Sequence, residues 1–156
     1  MAEYTSIAVQ TINPGETAIF TESPSPCYRG FIRHRDGSGT FLLSGYVPYN
    51  TFRCGCNRND GADYLIDFGA NVAIPTGETV SPISVAISVD GATLPASTMI
   101  VTPAAVEEYF NISRAINIDV FRGCCETIAV RNTSEIPILM QDANIIITRP
   151  DLYMTR

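Results

Sequence analysis

The chain has 156 residues, 46% of them hydrophobic, and a formal net charge of −6. That length fits one domain, and that composition can fill a buried core, which excludes a disordered or fibrous chain. All ten basic residues are Arg and none is Lys; an acidic chain without a basic run is a poor partner for nucleic acid or an anionic membrane.

The N-terminal MAEYTSIAVQ has neither a basic n-region nor an apolar h-region, and no run approaches the roughly 18 apolar residues of a membrane span. The expectation is a protein made in a cytoplasm, without membrane insertion, whose five cysteines start out reduced. The remaining signal is a series of short β-type runs cut by turns. Ser6–Ile12 (SIAVQTI) reads as a strand and Asn13–Glu16 (NPGE) as a turn. Thr17–Glu22 reads as the next strand, ended by Ser23–Cys27 (SPSPC), which no helix or central strand accepts. Gly30–Arg35 and Thr40–Val47 flank a hairpin-type turn at Asp36–Gly39 (DGSG).

Asp63–Ile74 (DYLIDFGANVAI) alternates, with Tyr64, Ile66, Phe68 and Ala70 on one face and Asp63, Leu65, Asp67 and Gly69 on the other. Ser81–Gly91 repeats the pattern, with Ile83, Val85, Ile87 and Val89 opposite Ser84, Ala86, Ser88 and Asp90. Asp90-Gly91 supplies a two-residue turn, after which Ala92–Val101 continues as a strand. Thr102–Phe110 (TPAAVEEYF) reads as a short helix capped by Thr102 and Pro103, or as a loop with one turn. Ile116–Val120, Glu126–Asn132 and Asn144–Pro150 are three further strands, with Thr133–Pro137 a turn. Short strands at this spacing indicate a sandwich or jelly roll, here expected to span residues 1–156 as one domain, with 1–50 as its opening strands.

Three segments carry a resemblance: Val85–Ser97, Ile128–Leu139 and Ala143–Arg149. They are similar in pattern to TNF-like or C1q-like jelly rolls of bacterial and phage surface proteins, most of all the C-terminal domain of collagen-like exosporium glycoproteins. The likeness covers roughly residues 60 to 150, and there is no Gly-X-Y stalk. It implies a non-enzymatic homotrimer, a jelly-roll head on the surface of a particle. The function it points to is structural: capsid decoration or a head fibre on the virion of a phage infecting a Firmicute-type bacterium. The alternatives are a module binding a host surface glycan, with the loop Thr102–Asn111 as its patch, and a spore-surface component. Tyr64, Phe68, Tyr109 and Phe110 are then residues of the core or of the three-fold contact.

Motifs for chemistry are sparse. The one histidine, His34, has Asp36 two residues on but no nucleophile assigned to it, and it reads as a surface residue of a hairpin. Asp63 and Asp67 share a strand face about 13 Å apart, too far for a glycosidase pair. Glu107 and Glu108 diverge if helical. Asn57–Asp63 only faintly echoes a calcium loop and reads as a turn. Asn111 and Asn132 open N-x-[ST] triplets that carry no weight without a secretory signal. No cofactor is implied.

The cysteines raise the one sharp question. Cys54-Gly-Cys56 and Cys124-Cys125 both miss the C-x2-C spacing of a zinc site. The leading reading makes Cys54, Cys56, Cys124 and Cys125 partners in disulfides formed after release, or buried thiols. A structural metal held by the same four comes second, and Cys27 is left free or bridged to another subunit. A bridge between the two pairs closes a long loop and adds about 3–5 kcal/mol in the chain-entropy model.

Overall fold

The computed structural model describes residues 1–46 and 61–150. Within them the strands are, in chain order, β1 (Ala2–Ser6), β2 (Gln10–Ile12), β3 (Glu22–Ser25), β4 (Ile32–His34), β5 (Thr40–Ser44) and β6 (Gly61–Ala73). There follow β7 (Ile83–Val89), β8 (Ala92–Thr93), β9 (Met99–Val101), β10 (Phe110–Phe121), β11 (Cys125–Asn132) and β12 (Ile138–Thr148). They form two six-stranded antiparallel sheets. The first is ordered β10-β6-β12-β1-β3 with β2 also on β12; the second is ordered β4-β5-β11-β7-β8 with β9 also on β7. The chain changes sheet at β3 to β4, β5 to β6, β6 to β7, β9 to β10, β10 to β11 and β11 to β12, so the two sheets wrap one another. That is the TNF-like jelly roll.

Period-two alternation builds the core. On β6, Ala62, Tyr64, Ile66, Phe68, Ala70 and Val72 are buried, while the residues between them are half-buried or exposed. Ile83, Val85 and Ile87 of β7 meet them from the facing sheet. On β12 the alternation must survive a bulge between Gln141 and Asn144, where Asp142 adopts φ 53°. The extra residue lets Met140 and Ala143, three apart, both point inward and keeps Ile145 and Ile147 in the core. The Asp90-Gly91 turn has φ 48° and 84°, positive at both positions as a type I′ hairpin turn requires.

Several sequence expectations change. The apolar Ser6–Ile12 is not one strand: β1 ends at Ser6, and Ile7 and Val9 are exposed before β2 begins. The residues of β1, Ala2 to Ser6, alternate buried and half-buried, a pattern masked in the sequence by the apolar triplet that follows. Of Thr17–Glu22, only Glu22 belongs to a strand, as the start of β3; the rest makes isolated bridges, Thr17 to Arg131 and Phe20 to Ser38. β3 includes Pro24, which is tolerated because β3 lies at the edge of its sheet. Ala92–Val101 is broken by a 3-10 turn at Pro95–Ser97, whose Ser97 hydroxyl accepts from Ile87 N at 2.8 Å. Thr102–Tyr109 is a loop and not a helix, with Glu107 at φ 57°.

Gly45 fixes how the chain leaves β5. Its N–H donates to Cys124 O at 2.9 Å, and a Cβ placed there would collide with the Phe121 carbonyl. Both obstacles are backbone, so a side chain cannot be accommodated by a rotamer change. Gly45→Ala is expected to cost about 1–3 kcal/mol through overpacking. A denaturant melt of the variant beside wild type measures it; an unchanged midpoint would show that the turn can shift freely.

Candidate functional site

His34 is not the surface residue that the sequence suggests. Its ring stacks on Phe41 at 4.3 Å and meets the edge of Tyr4 at 4.8 Å. Nδ1 lies 2.9 Å from Thr40 O and Nε2 3.2 Å from Phe20 O. With a backbone carbonyl against each nitrogen, this ring has no position from which to serve a nucleophile. Asp36 instead accepts a hydrogen bond from the Ser23 hydroxyl at 2.6 Å. The signal for burial was the parity of the strand, since His34 shares a face with the core residue Ile32.

The other expected residues fall into place singly. Tyr64 and Phe68 are core, Phe110 is half-buried, and Tyr109 is 40% exposed on the loop and belongs to no core. Asp63 and Asp67 both lie on the outward face of β6. In the loop, Glu108 accepts from Ala104 N and Ala105 N, and Glu107 accepts from the Thr76 hydroxyl at 2.7 Å. Asn132 is buried: its Nδ2 donates to Ile12 O and Ile136 O, and its Oδ1 accepts from Ser134 N. Asn111 stays exposed on β10. Among the described residues no group of three or more His, Cys, Asp or Glu side chains could hold a metal ion.

Cys54 and Cys56, with most of the Asn57–Asp63 run, lie outside the described residues. Cys124 and Cys125 are free and exposed, and Cys27 is free and half-buried, so the reading of the adjacent pair as buried thiols is corrected. Cys124 closes a turn from Phe121, and Cys125 opens β11 opposite Ser44. Glu126, next along, has its carboxyl pushed up by burial and by Asp90 and Asp119.

Two features combine into candidate sites. The first is a cavity of ≈ 250 Å³ lined by Met1, Cys27, Tyr28, Phe31 and Arg149, among others. Arg149 is buried, its guanidinium 4.7 Å over the Phe31 ring and 5.6 Å over Tyr64. The Tyr64 hydroxyl donates to Ser44 O at 2.7 Å and so ties this end of the core to β5. Burial raises the Cys27 thiol, but the backbone N–H groups of Ile32, Phe31, Arg29 and Gly30 outweigh it and hold it below its ordinary value.

The second feature is a division of charge between the two outward sheet faces. On the first sheet the outward positions include Glu3, Asp63, Asp67 and Asp119 and no Arg. Around them lie Leu65, Ile146, Gly69 and Ala115, aligned by the pairings Ile146 with Asp67, Asp67 with Ala115, and Asn144 with Gly69. On the second sheet the outward positions carry Arg33 and Arg131 among Ser84, Ala86, Ser88, Thr127, Ala129, Thr40 and Leu42, and no acid. The sequence counts these charges but does not sort them by face, because facing depends on which strands pair.

No family model matches the chain, and no curated protein matches it. Solved structures of similar outline include rabbit GITRL, 10% identical over 95% of this chain and 94% of that one, with a TM-score of 0.44. A sugar-binding protein, the EclA C-terminal domain, is 12% identical over 92% and 79% at a TM-score of 0.39. The CBM22-1 xylan-binding domain of Paenibacillus barcinonensis Xyn10C is 9% identical over 94% and 86% at 0.33. The strand order described above defines the fold by itself.

Alkylation reads the state of Cys27. In a Cys124→Ser/Cys125→Ser background, its rate is expected to rise with pH around a midpoint below that of a free thiol. Mass-spectrometric mapping after iodoacetamide pulses checks this; a midpoint at or above the ordinary thiol value would mean that burial prevails.

Proposed function

We propose that the protein is a structural, non-catalytic jelly-roll head that works as a homotrimer on a particle surface, as a capsid decoration or head fibre of a phage. The observation that supports this most is the outward face of the β10-β6-β12-β1-β3 sheet. Leu65 and Ile146 lie there half-buried among the small residues Gly69, Ser113 and Ala115, bordered by the exposed Arg114, whose guanidinium donates to Ala96 O. Phe121, 74% exposed, stands at its rim. An apolar strip between small side chains lets another backbone approach closely, as subunit contacts require.

Placement on a particle rests on the resemblance of Val85–Ser97, Ile128–Leu139 and Ala143–Arg149 to surface jelly rolls; a spore surface is the alternative particle. Sedimentation equilibrium is expected to give about three times the 16.9 kDa chain mass. Leu65→Glu with Ile146→Glu should return a folded monomer with an unchanged β-type circular dichroism spectrum. A wild-type monomer would end the reading.

The proposal includes a sulfur link between the Cys54/Cys56 and Cys124/Cys125 pairs. Its support is an anchoring: Gly45 bonds Cys124 O and Gly61 pairs with Phe121, so the chain departs from and returns to the two sides of the Cys124-Cys125 turn. The free-thiol count of denatured protein should be five with reductant and fewer without it after air oxidation. Five in both conditions would remove the link.

A second reading, binding of a host glycan, has an observation of its own. It lies on the opposite sheet and not in the Thr102–Asn111 loop, whose glutamates are already engaged by Ala104, Ala105 and Thr76.

A further inference from the structure

We infer that the outward face of β4, β5 and β11 binds a carboxylate-bearing polysaccharide, with Arg33 and Arg35 as the residues that take the carboxylates. This gives the glycan-binding reading a place and a ligand class, and it requires neither a trimer nor a particle.

The site follows from strand pairing. Arg33 pairs with Leu42, and Leu42 with Thr127, so the three form one outward row across three strands. Thr40 and Ala129 pair in the next row. Arg35 follows β4 with the parity of Arg33, and Ser38 comes from the turn between β4 and β5. Arg33, Arg35, Ser38, Thr40, Leu42 and Thr127, with an edge of the half-buried His34, together line an open depression of ≈ 400 Å³. The row from Arg33 to Thr127 spans two strand spacings, on the order of 10 Å.

The chemistry of these side chains selects the ligand. The guanidinium groups of Arg33 and Arg35 make no hydrogen bond or ion pair with any described residue, although the chain carries 16 acidic residues. Two cations without a partner among the described residues form a local positive field on one face of a protein of net charge −6, with Asp90, which accepts from Thr127 N, at its border. A planar, five-donor guanidinium matches a carboxylate in a two-point fork, which an ammonium cannot do. Ser38, Thr40 and Thr127 offer hydroxyls to sugar hydroxyls, and Leu42 between them gives an apolar floor for the C–H face of a ring. A polynucleotide fits less well. The aromatic ring that lines the depression, His34, is already stacked on Phe41 and hydrogen-bonded to backbone carbonyls, and no Phe, Tyr or Trp joins it in the lining for base stacking.

Isothermal titration with polygalacturonate, dextran and polyphosphate at low salt tests this. Polygalacturonate should bind with an affinity that falls as salt rises, and dextran should not bind. Arg33→Gln with Arg35→Gln should weaken binding by at least about tenfold, with Arg33→Lys and Arg35→Lys in between. Arg131→Gln, on the same face but outside the depression, should leave it within about threefold. Thermal melts confirm that each variant is folded, and sedimentation on the same samples reports assembly separately. No binding to polygalacturonate, equal binding by the Gln double variant, or tighter binding of polyphosphate would each overturn the assignment.

Discussion

The fold depends on β12. This one strand holds β6 along one side and β1 and β2 along the other, with Tyr4 opposite Ile145 and Ile12 opposite Ile138. β12 comes late in the chain and its partners come from the beginning and the middle, so the first sheet cannot close until almost the whole sequence is in place. Asn132 secures the crossing that delivers it. From the end of β11, its buried amide bonds Ile12 O and Ile136 O and receives Ser134 N, linking β11, the connecting turn and β2. A buried amide with both ends satisfied is stabilising; the same amide with one partner missing is a liability of about 1–3 kcal/mol. Pairings so distant in sequence are slow to form, as expected of an all-β sandwich.

With β12 fixed, the parity of every neighbouring strand is fixed, and so is the division of charge. The Asp63, Asp67 and Asp119 carboxylates face outward because Tyr64, Ile66 and Ile118 must face inward. Arg33 faces outward because Ile32 and His34 take the core positions of β4. The electrostatic character of each face is thus a by-product of hydrophobic alternation. On the acidic face Asp63 and Asp119 sit directly opposite one another, whereas on the basic sheet the Asp90 carboxylate is held at the turn by Thr127 N. Like charges set opposite one another across strands are unfavourable.

Much of this was legible in the sequence. β6, β7, β11 and the Asp90-Gly91 hairpin follow from alternation and turn chemistry, because each buries one complete face and nothing else competes. The misreadings have physical causes. The apolar triplet at Ile7–Val9 drew the first strand too late, although the residues before it pair with β12 and those within it are exposed. Pro24 argued against a strand that exists because it is an edge. His34 looked solvated since it stands between two arginines, yet parity with Ile32 already placed its ring inside. Those two arginines are Arg33 and Arg35. Their common parity was visible, but the neighbours that make them a site, Leu42 and Thr127, come from strands whose pairing only the fold supplies.

The separation of charge also restricts how copies of this chain can associate. In a two-fold dimer each face would meet its own copy, setting Asp against Asp on one sheet or Arg against Arg on the other. Such isologous contacts carry a like-charge penalty that the apolar strip of Leu65 and Ile146 would first have to offset. A heterologous contact brings the acidic face to a different surface of the neighbour and avoids that penalty. Heterologous contacts close only if the rotation per subunit divides a full turn; otherwise they grow as filaments. Under the proposed assembly, a face with an apolar strip and four carboxylates suits a closed ring better than a two-fold dimer.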